Sequence, residues 1–385
     1  MTSENRLPEF TKVRDLFPVV QNLLYFDSAH QTPLATSVRS ALDQFYDEGQ
    51  HSGGPKAVWL ACAEATRQQL ADLLHASARE IAFTKNTSEG LNVIANALAL
   101  KSGDEVLMVQ GDHPNNSYAW LNLQSKGVRT HFVPLESEVA SAQTFAPFIT
   151  EHTKVISLSH VTFHAGQRNA LASIGALCQK HGIHLVVDAM QSIGVLDLDV
   201  KALGISALAA GCHKGLLIPQ GLGLLYVDGA LEGLKPAYLG IAGVSNPPAD
   251  MVATAGDYLI KRDAGQFELG NLNLPALYAL SASLRLLQHL GLRAVEEHVL
   301  KLGDRLIEHL DRLGIDLVGP RSRENRLHIY VLKLPLDPWM KIFETHQVRV
   351  SPERDGIRVS FGIFNTFEEV DRLAGILEEN NYKVV

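Results

Sequence analysis

The sequence has few cysteines, no cluster of basic residues and no long apolar run, and each absence excludes a class of protein. Its three cysteines, Cys62, Cys178 and Cys212, are odd in number and widely spaced, which is typical of neither a disulfide framework nor a zinc site. The formal net charge is −8, and the sequence contains no run of lysines and arginines. The usual electrostatic basis for binding nucleic acid or an anionic membrane is therefore missing, and we expect neither partner.

No apolar run approaches the roughly 18 residues that suggest a membrane span. The opening segment, MTSENRLPEFTKVRDLF, carries charges throughout and does not look like a secretory signal. These two features predict a cytoplasmic protein. A chain of 385 residues with 46% hydrophobic content can bury a large core, and this length favours two domains.

Short apolar strands alternate with helical patterns between residues 80 and 230. This alternation is the signature of parallel strands joined by crossover helices, and it predicts an α/β fold with one large, mostly parallel sheet. The predicted helices between the strands include 88–100 and 171–182. Seven strands are predicted, at residues 80–84, 105–109, 129–134, 154–159, 184–188, 206–211 and 223–227.

The pattern changes after residue 228, where a stretch with glycine and proline predicts a loop. A long helix is predicted from Leu274 to Leu290, followed by a smaller α/β segment with helices at 293–312 and 366–380. We therefore divide the chain into an N-terminal arm (1–17), a large domain (18–258) and a small C-terminal domain (259–385).

Polar residues follow four of the predicted strands at the point where each strand ends. In open α/β sheets, ligands bind in the loops at the carboxyl ends of the strands. We therefore expect a site built from the four groups that stand there, namely Asn86 to Glu89, Asp112 with His113, Asp188 with Gln191, and Cys212 to Lys214.

Lys214 lies in the segment GCHKGLLIPQGLGLLYV, between two apolar strands. Most lysines in such a chain are solvated loop residues. The neighbours of Lys214 are small and apolar, and desolvation of this kind lowers the pKa of an amine and makes it able to form an imine.

The run HKGLLIPQGLGLLYV resembles the aminotransferase class V group of fold-type I pyridoxal-phosphate (PLP) enzymes, and in particular its cysteine-desulfurase-like branch. The likeness extends from YFDSAHQTPL to RVSFGIFNTFEEVDRL and so covers nearly the whole chain. It implies the fold of that group, PLP as cofactor, an amino-acid-like substrate, and Lys214 as the Schiff-base lysine.

The resemblance also implies roles for residues around the cofactor ring. It gives Asp188 the task of holding the pyridine nitrogen protonated, Gln191 a contact with the phenolic oxygen, and His113 a place stacked on the ring. The alternative for Asp188 is a simple helix N-cap, and a lone histidine such as His113 is more often a loop residue.

The segment NTSEG, residues 86–90, predicts the start of a helix with Thr87 or Ser88 at its cap. By resemblance, Thr87 and Ser88 bind the PLP phosphate and His213 assists them. Asn271 matches a position that contacts the phosphate from a partner subunit, which implies a homodimer with shared active sites.

Arg358 matches the arginine that grips the substrate carboxylate, a task that suits a planar bidentate donor. The alternative is an exposed strand arginine. His30 lies in a segment that lines the pocket in relatives, and the resemblance places it near the substrate.

The sequence departs from cysteine desulfurases where their nucleophilic thiol lies, because residues 338–357, predicted as a loop, contain no cysteine. Phe163 replaces a common asparagine and Gly211 replaces a common phosphate-binding serine. Cys212 is expected to pack under the cofactor. These departures indicate a specialised pocket and weigh against standard desulfurase chemistry.

Several outcomes stay open. Removal of the α proton could lead to transamination, to elimination as in a C–S lyase, or to racemisation or epimerisation, and a catalytically silent PLP-binding protein is a further alternative. A metal site is not expected, because His160 and His164 have no acidic or cysteine partner at metal spacing.

Overall fold

A computed structural model describes residues 10–252 and 256–381, so residues 1–9 of the predicted N-terminal arm lie outside the described part. The α-helices of the described residues are α1 (Phe10–Arg14), α2 (Thr36–Ser52), α3 (Lys56–Leu73), α4 (Thr87–Ala97), α5 (Pro114–Leu121), α6 (Ala142–Phe145), α7 (Leu171–His181), α8 (Leu274–Leu290), α9 (Leu292–Leu313), α10 (Leu336–Thr345) and α11 (Phe367–Asn381). Among them, no helix is both long and apolar enough to cross a bilayer.

The β-strands fall into one large sheet and two smaller groups. They are β1 (Leu24–Tyr25), β2 (Ile81–Thr84), β3 (Glu105–Val109), β4 (Arg129–Val133), β5 (Thr153–Ser159), β6 (His184–Asp188), β7 (Ala207–Gly211), β8 (Gly223–Val227), β9 (Leu317–Val318), β10 (Ile329–Leu332), β11 (Val348–Arg349), β12 (Ser351–Glu353) and β13 (Gly356–Ser360).

The large sheet has the strand order β2-β8-β7-β6-β5-β3-β4, and β8 runs antiparallel to both of its neighbours. All seven strands predicted from the sequence form this sheet, so the predicted fold class is confirmed. Helices cover both faces, and α4 packs very close to β7, since a Cβ added to Gly90 would lie 2.8 Å from the Cβ of Ala209. This close packing brings the first turn of α4 to the carboxyl edge of the sheet.

The small sheet follows α8 and α9 in the chain and has the order β12-β13-β10-β9, with every pairing antiparallel. The prediction of a loop over residues 338–357 is wrong. Those residues form most of α10, which buries Trp339 and Phe343, and then β11 and β12. They are ordered because α10 has apolar side chains to bury and β12 pairs with β13 along its length.

The first described strand, β1, pairs with a strand from near the other end of the chain. Strand β1 pairs in parallel with β11, and Asp27 forms a bridge with Ser360. Helix α8 packs against both α2 and α3 and is buried along most of its length. Residues from near both ends of the chain therefore meet beside the carboxyl edge of the large sheet.

Candidate active site

A cavity of about 520 Å³ opens at the carboxyl edge of the large sheet, where the ends of β2, β3, β5, β6 and β7 meet. Its volume is typical of a small-molecule site. Seven of the residues predicted from the sequence line it together: Thr87, Ser88, His113, Asp188, Gln191, His213 and Lys214. The structure therefore brings these strand ends together at one cavity, as expected. The chemical role of each residue stays a prediction.

Lys214 is fixed by close contacts of the backbone on both sides of it. A Cβ added to Gly215 would lie 2.0 Å from the carbonyl oxygen of Ile193, so only glycine fits there. The carbonyl oxygen of Lys214 accepts hydrogen bonds from Thr32 Oγ1 at 2.7 Å and from the amide of Leu217 at 2.9 Å. The ammonium group therefore sits on a rigid segment, as a precisely placed reactive group requires.

The surroundings of Lys214 make its amine easier to deprotonate than that of a free lysine. Burial, followed by the charge of Arg358, lowers the pKa of Lys214 to about 8 against the opposite effect of Asp188 and other carboxylates. A lysine with this pKa is available as a nucleophile and as a proton acceptor near neutral pH.

Asp188 ends β6 and is buried, and it forms no hydrogen bond or ion pair with a cationic side chain among the described residues, although the charge of Lys214 acts on it. Its Oδ1 accepts the amide of Met190 at 2.9 Å, and the residues that follow form turns, so the helix N-cap alternative is wrong. Burial raises the pKa of Asp188 to about 7, and the charge of Asp112 acts in the same direction. A buried carboxylate in this state is suited to a protonated nitrogen, which would supply the missing positive charge.

Gln191 is buried beside the segment that follows β1. Its Nε2 donates to the carbonyl oxygen of Ala29 at 3.0 Å, while its Oε1 is buried without a hydrogen-bond partner among the described residues. An unsatisfied buried amide oxygen is uncommon in folded proteins. It fits a site completed by a ligand with polar ring substituents.

The first turn of α4 supplies a cradle for an anion. The predicted cap at Thr87 or Ser88 is wrong, because Asn86 is the cap and its Oδ1 accepts the amide of Glu89 at 2.9 Å. Thr87 and Ser88 are therefore the first two residues of the helix, and their backbone amides lie at its N-terminus beside the cavity. The helix dipole favours negative charge at that end. The hydroxyl of Thr87 donates to the Sδ of Met190 at 3.2 Å.

Gly211 stands where the resemblance leads us to expect a phosphate-binding serine. Its amide donates to the Sδ of Met190 at 3.2 Å, and a Cβ added to it would lie 3.1 Å from that same sulfur. Met190 thus fills the space beside the cradle that a serine side chain would need. His213 adjoins it, and burial lowers the pKa of that imidazole to about 4.

His113 caps α5, and its Nδ1 accepts the amide of Asn115 at 3.2 Å. The ring of Phe163 meets it edge to face, with centroids 4.9 Å apart. Burial lowers the pKa of His113, as does the charge of Lys214. His113 is therefore a neutral imidazole with its proton on Nε2, ready to accept or pass a proton.

Asp112 is a part of the site for which the sequence suggested no specific role. Its carboxylate accepts the hydroxyl of Ser159 at 2.6 Å and the amide of His113 at 2.7 Å, so it ties β5 to the segment that carries the imidazole. Only its position after a predicted strand drew attention to it.

Arg358 lies in β13 and is not among the residues that line the cavity. It is buried rather than exposed, so the alternative of an exposed strand arginine is wrong. Its Nη1 donates to Glu353 Oε1 at 2.7 Å and to the carbonyl oxygen of Phe163 at 3.0 Å, and its Nη2 lies 3.7 Å from Asp27 Oδ1. The partners Asp27 and Glu353 were not foreseen, since they come from opposite ends of the chain.

Two other predicted residues lie around the cavity rather than in it. His30 is exposed, and its charge contributes to the lowered pKa of His213. Asn271 lines a neighbouring cavity of about 460 Å³, which shares Lys85 and Gly221 with the first.

The cysteines are not placed as nucleophiles. Cys178 and Cys212 are buried, and burial raises the pKa of each thiol. Cys62 lies on α3 and is half-buried, with a pKa that burial also raises. None of the three lines the cavity.

Comparisons with known proteins agree with this geometry. The family described as Aminotransferase class-V matches residues 24–373. An uncharacterized aminotransferase of Schizosaccharomyces pombe is 33% identical over 97% of this chain and 96% of its own length. A probable cysteine desulfurase of Pyrococcus abyssi is 29% identical over 97% of this chain and 98% of its own. The solved cysteine desulfurase of Thermococcus onnurineus superposes with a TM-score of 0.86 at 27% identity, covering 98% of this chain and 99% of that one.

Proposed function

The chain belongs to the aminotransferase class V family, and from that membership we propose that it is a PLP-dependent lyase that cleaves a carbon–sulfur bond in an amino-acid-like substrate by β-elimination. The observation that carries the choice of elimination is the site itself, which holds a proton acceptor at Lys214 and no thiol. Relatives such as the Pyrococcus abyssi protein are named probable cysteine desulfurases, which supports a sulfur-bearing substrate.

The residues of the cavity fit PLP. The amides at the start of α4 and the hydroxyls of Thr87 and Ser88 would hold the phosphate. The carboxylate of Asp188 would keep the proton on the ring nitrogen, and Gln191 would contact the ring's phenolic oxygen. When bound, PLP supplies an electron sink for the charge that develops at the substrate's α carbon.

The chain's own groups would then move the protons. The amine of Lys214 takes the proton from the α carbon, the bond between the β carbon and sulfur breaks, and the sulfur leaves with the electron pair. Lys214, once it holds the α proton as an ammonium, is the group that can protonate the departing sulfur, and the neutral imidazole of His113 can accept a proton at the same cavity. Hydrolysis afterwards releases a keto acid and ammonia.

A cysteine-free variant tests this proposal. If no thiol takes part, replacing Cys62, Cys178 and Cys212 by serine or alanine should leave turnover close to that of the parent. The loss of the buried Cys212 side chain should cost about 1 kcal/mol of stability. The measurement is the release of thiol, keto acid and ammonia from a series of S-substituted cysteines.

The other possible results of that assay have clear meanings. A persulfide on Cys212 after turnover with cysteine, together with an inactive variant, would show desulfurase chemistry with a relocated nucleophile. Keto acid formed without release of thiol would identify transamination instead.

We also propose that the protein is a homodimer. The segment from Tyr238 to Leu269 exposes a set of large apolar side chains near Asn271, among them Tyr238, Leu239, Ile241, Tyr258, Leu259 and Leu269. A patch of this kind on a globular protein commonly marks an interface. A second copy seated there would cover the cavity that Asn271 lines and would bring its own Asn271 toward the phosphate, as the family resemblance implies.

Replacing Tyr238 and Leu259 with glutamate should convert the dimer into monomers, because a charge buried at an apolar interface is costly. The mass in solution, from light scattering, measures this. Phe132→Glu is the control, since Phe132 is also an exposed apolar residue but lies on β4 at the opposite edge of the sheet from β2. A parent protein that is monomeric throughout would contradict the proposal.

A further inference from the structure

Arg358 is held by the protein's own carboxylates at the position where the family resemblance expects it to hold a substrate. Glu353 Oε1 lies 2.7 Å from Nη1; the side chain of Arg358 is buried and that of Glu353 is largely buried. Two of the three guanidinium nitrogens, Nε and Nη2, make no hydrogen bond to the described residues. The capacity of this arginine for a bidentate contact is therefore unused, although it is shielded from the cavity.

The hairpin of β12 and β13 determines where Glu353 lies. The register pairs Ser351 with Arg358 and Glu353 with Gly356, so the chain turns within two residues. Ser351 Oγ donates to Asp27 Oδ1 at 2.6 Å, which anchors the start of the hairpin to the segment after β1. In this chain the hairpin occupies the region where the desulfurase thiol would be expected, and it brings a carboxylate there.

Glu353 has a second partner within reach. Its Oε2 lies 3.3 Å from His164 Nδ1, and His164 Nε2 lies 2.7 Å from Asp355 Oδ2. His164 directly follows Phe163, whose carbonyl oxygen accepts the hydrogen bond from Arg358. The carboxylate of Glu353 can therefore give up the arginine and still keep a hydrogen-bonding partner.

We propose that Glu353 is a resident competitor for the substrate carboxylate at Arg358, so that a carboxylate-bearing substrate binds only after Glu353 leaves Nη1 and turns to His164. This inference rests on the proposed function, because it takes Arg358 as the group that receives the substrate carboxylate. It makes Glu353 a specificity-determining residue that disfavours ligands whose carboxylate cannot displace it.

The charges around Arg358 indicate that a substrate carboxylate would replace Glu353 at the guanidinium and would not bind beside it. Arg358 already faces Asp27 and Glu353, and a third carboxylate at the same guanidinium would add like charge in a buried place. Removing the Glu353 charge would leave Arg358 free for an incoming anion.

The test measures binding of propionate, an unreactive monocarboxylate, to the PLP-loaded protein by ligand-observed NMR. Glu353→Gln should bind propionate about tenfold more tightly than the parent, the change expected when one charge-assisted hydrogen bond no longer competes. Propionamide, which has the same shape and no charge, should bind the parent and the variant equally. Glu344→Gln is the matched control, because Glu344 is exposed on α10 and forms no hydrogen bond or ion pair with Arg358 or His164, and it should bind propionate as the parent does.

Two further variants distinguish an error about Glu353 from an error about Arg358. Glu353→Ala should tighten propionate binding in the same direction, so a poorly folded Glu353→Gln protein would not prevent the test. Binding by these variants that is equal to or weaker than that of the parent would overturn the inference and make Glu353 a positioning residue for Arg358. Arg358→Gln should lose propionate binding. If it binds as the parent does, the proposed role of Arg358 itself is wrong, whatever Glu353 does.

Discussion

Replacing Lys214 with alanine is expected to lower turnover by about 10³-fold or more while the protein still binds PLP. The loss is large because one side chain supplies both the amine that forms the imine and the base that takes the α proton. Binding survives because the start of α4, Asp188 and Gln191 are not altered. Turnover and the visible absorbance of the dialysed protein measure the two effects separately.

Lys85→Ala is the matched control for that experiment, since Lys85 lines the same cavity. It should keep its activity and the covalent attachment of PLP. Treatment of the parent with borohydride should fix PLP to a peptide that contains Lys214. Recovery of the fixed cofactor on Lys85 or on any other lysine would overturn the central assignment.

Asp188→Asn should have two effects of opposite sign. Turnover should fall by about 10³-fold, because an amide cannot hold the ring nitrogen protonated and the electron sink is weakened. Yet the PLP-free variant should be more stable than the PLP-free parent at pH 8, by about 3 kcal/mol, because it no longer buries a charge without a partner.

The pH dependence follows from the pKa of about 7 in the folded protein against 3.8 in the unfolded chain. Between these values the folded state binds more protons than the unfolded state, so stability falls as the pH rises through that window. Denaturant unfolding of the PLP-free parent between pH 4 and pH 8 should show this fall, and the variant should lack this contribution. A PLP-free variant that is less stable than the parent at pH 8 would mean that Asp188 has a cationic partner in the folded protein.

The framework of the site was predictable because each part has a local signal. The strands that precede His113 and Lys214 and the strand that ends at Asp188 each have five residues and are mostly apolar, and parallel strands must bring their carboxyl ends to one edge. Three polar groups that are far apart in the chain were therefore expected to meet at one cavity.

The surroundings of Arg358 had no such signal. Strand β12 has three residues with Pro352 at its centre, which is too short for an alternating pattern to show. Asp27 reaches the arginine through the pairing of β1 with β11 and through its own bridge to Ser360 of β13, contacts between segments near opposite ends of the chain. The cap of α4 was misjudged for a different reason, since Asn86, Thr87 and Ser88 are all good capping residues and composition alone does not choose among them.

The pairing of β1 with β11 also sets an order of assembly during synthesis. Arg349, which contacts Asp27, lies 322 positions after it, so the two meet only when almost the whole chain has left the ribosome. The segments that line the cavity around Lys214 end at Gly221 and emerge much earlier, and chains fold from the N-terminal side as they emerge. Until β11 and β13 arrive, the carboxylate of Asp27 lacks Arg349 and Arg358, which lie beside it in the finished protein. We therefore expect the segments that line the cavity to be made before the arginine that is proposed to receive the substrate carboxylate is in place.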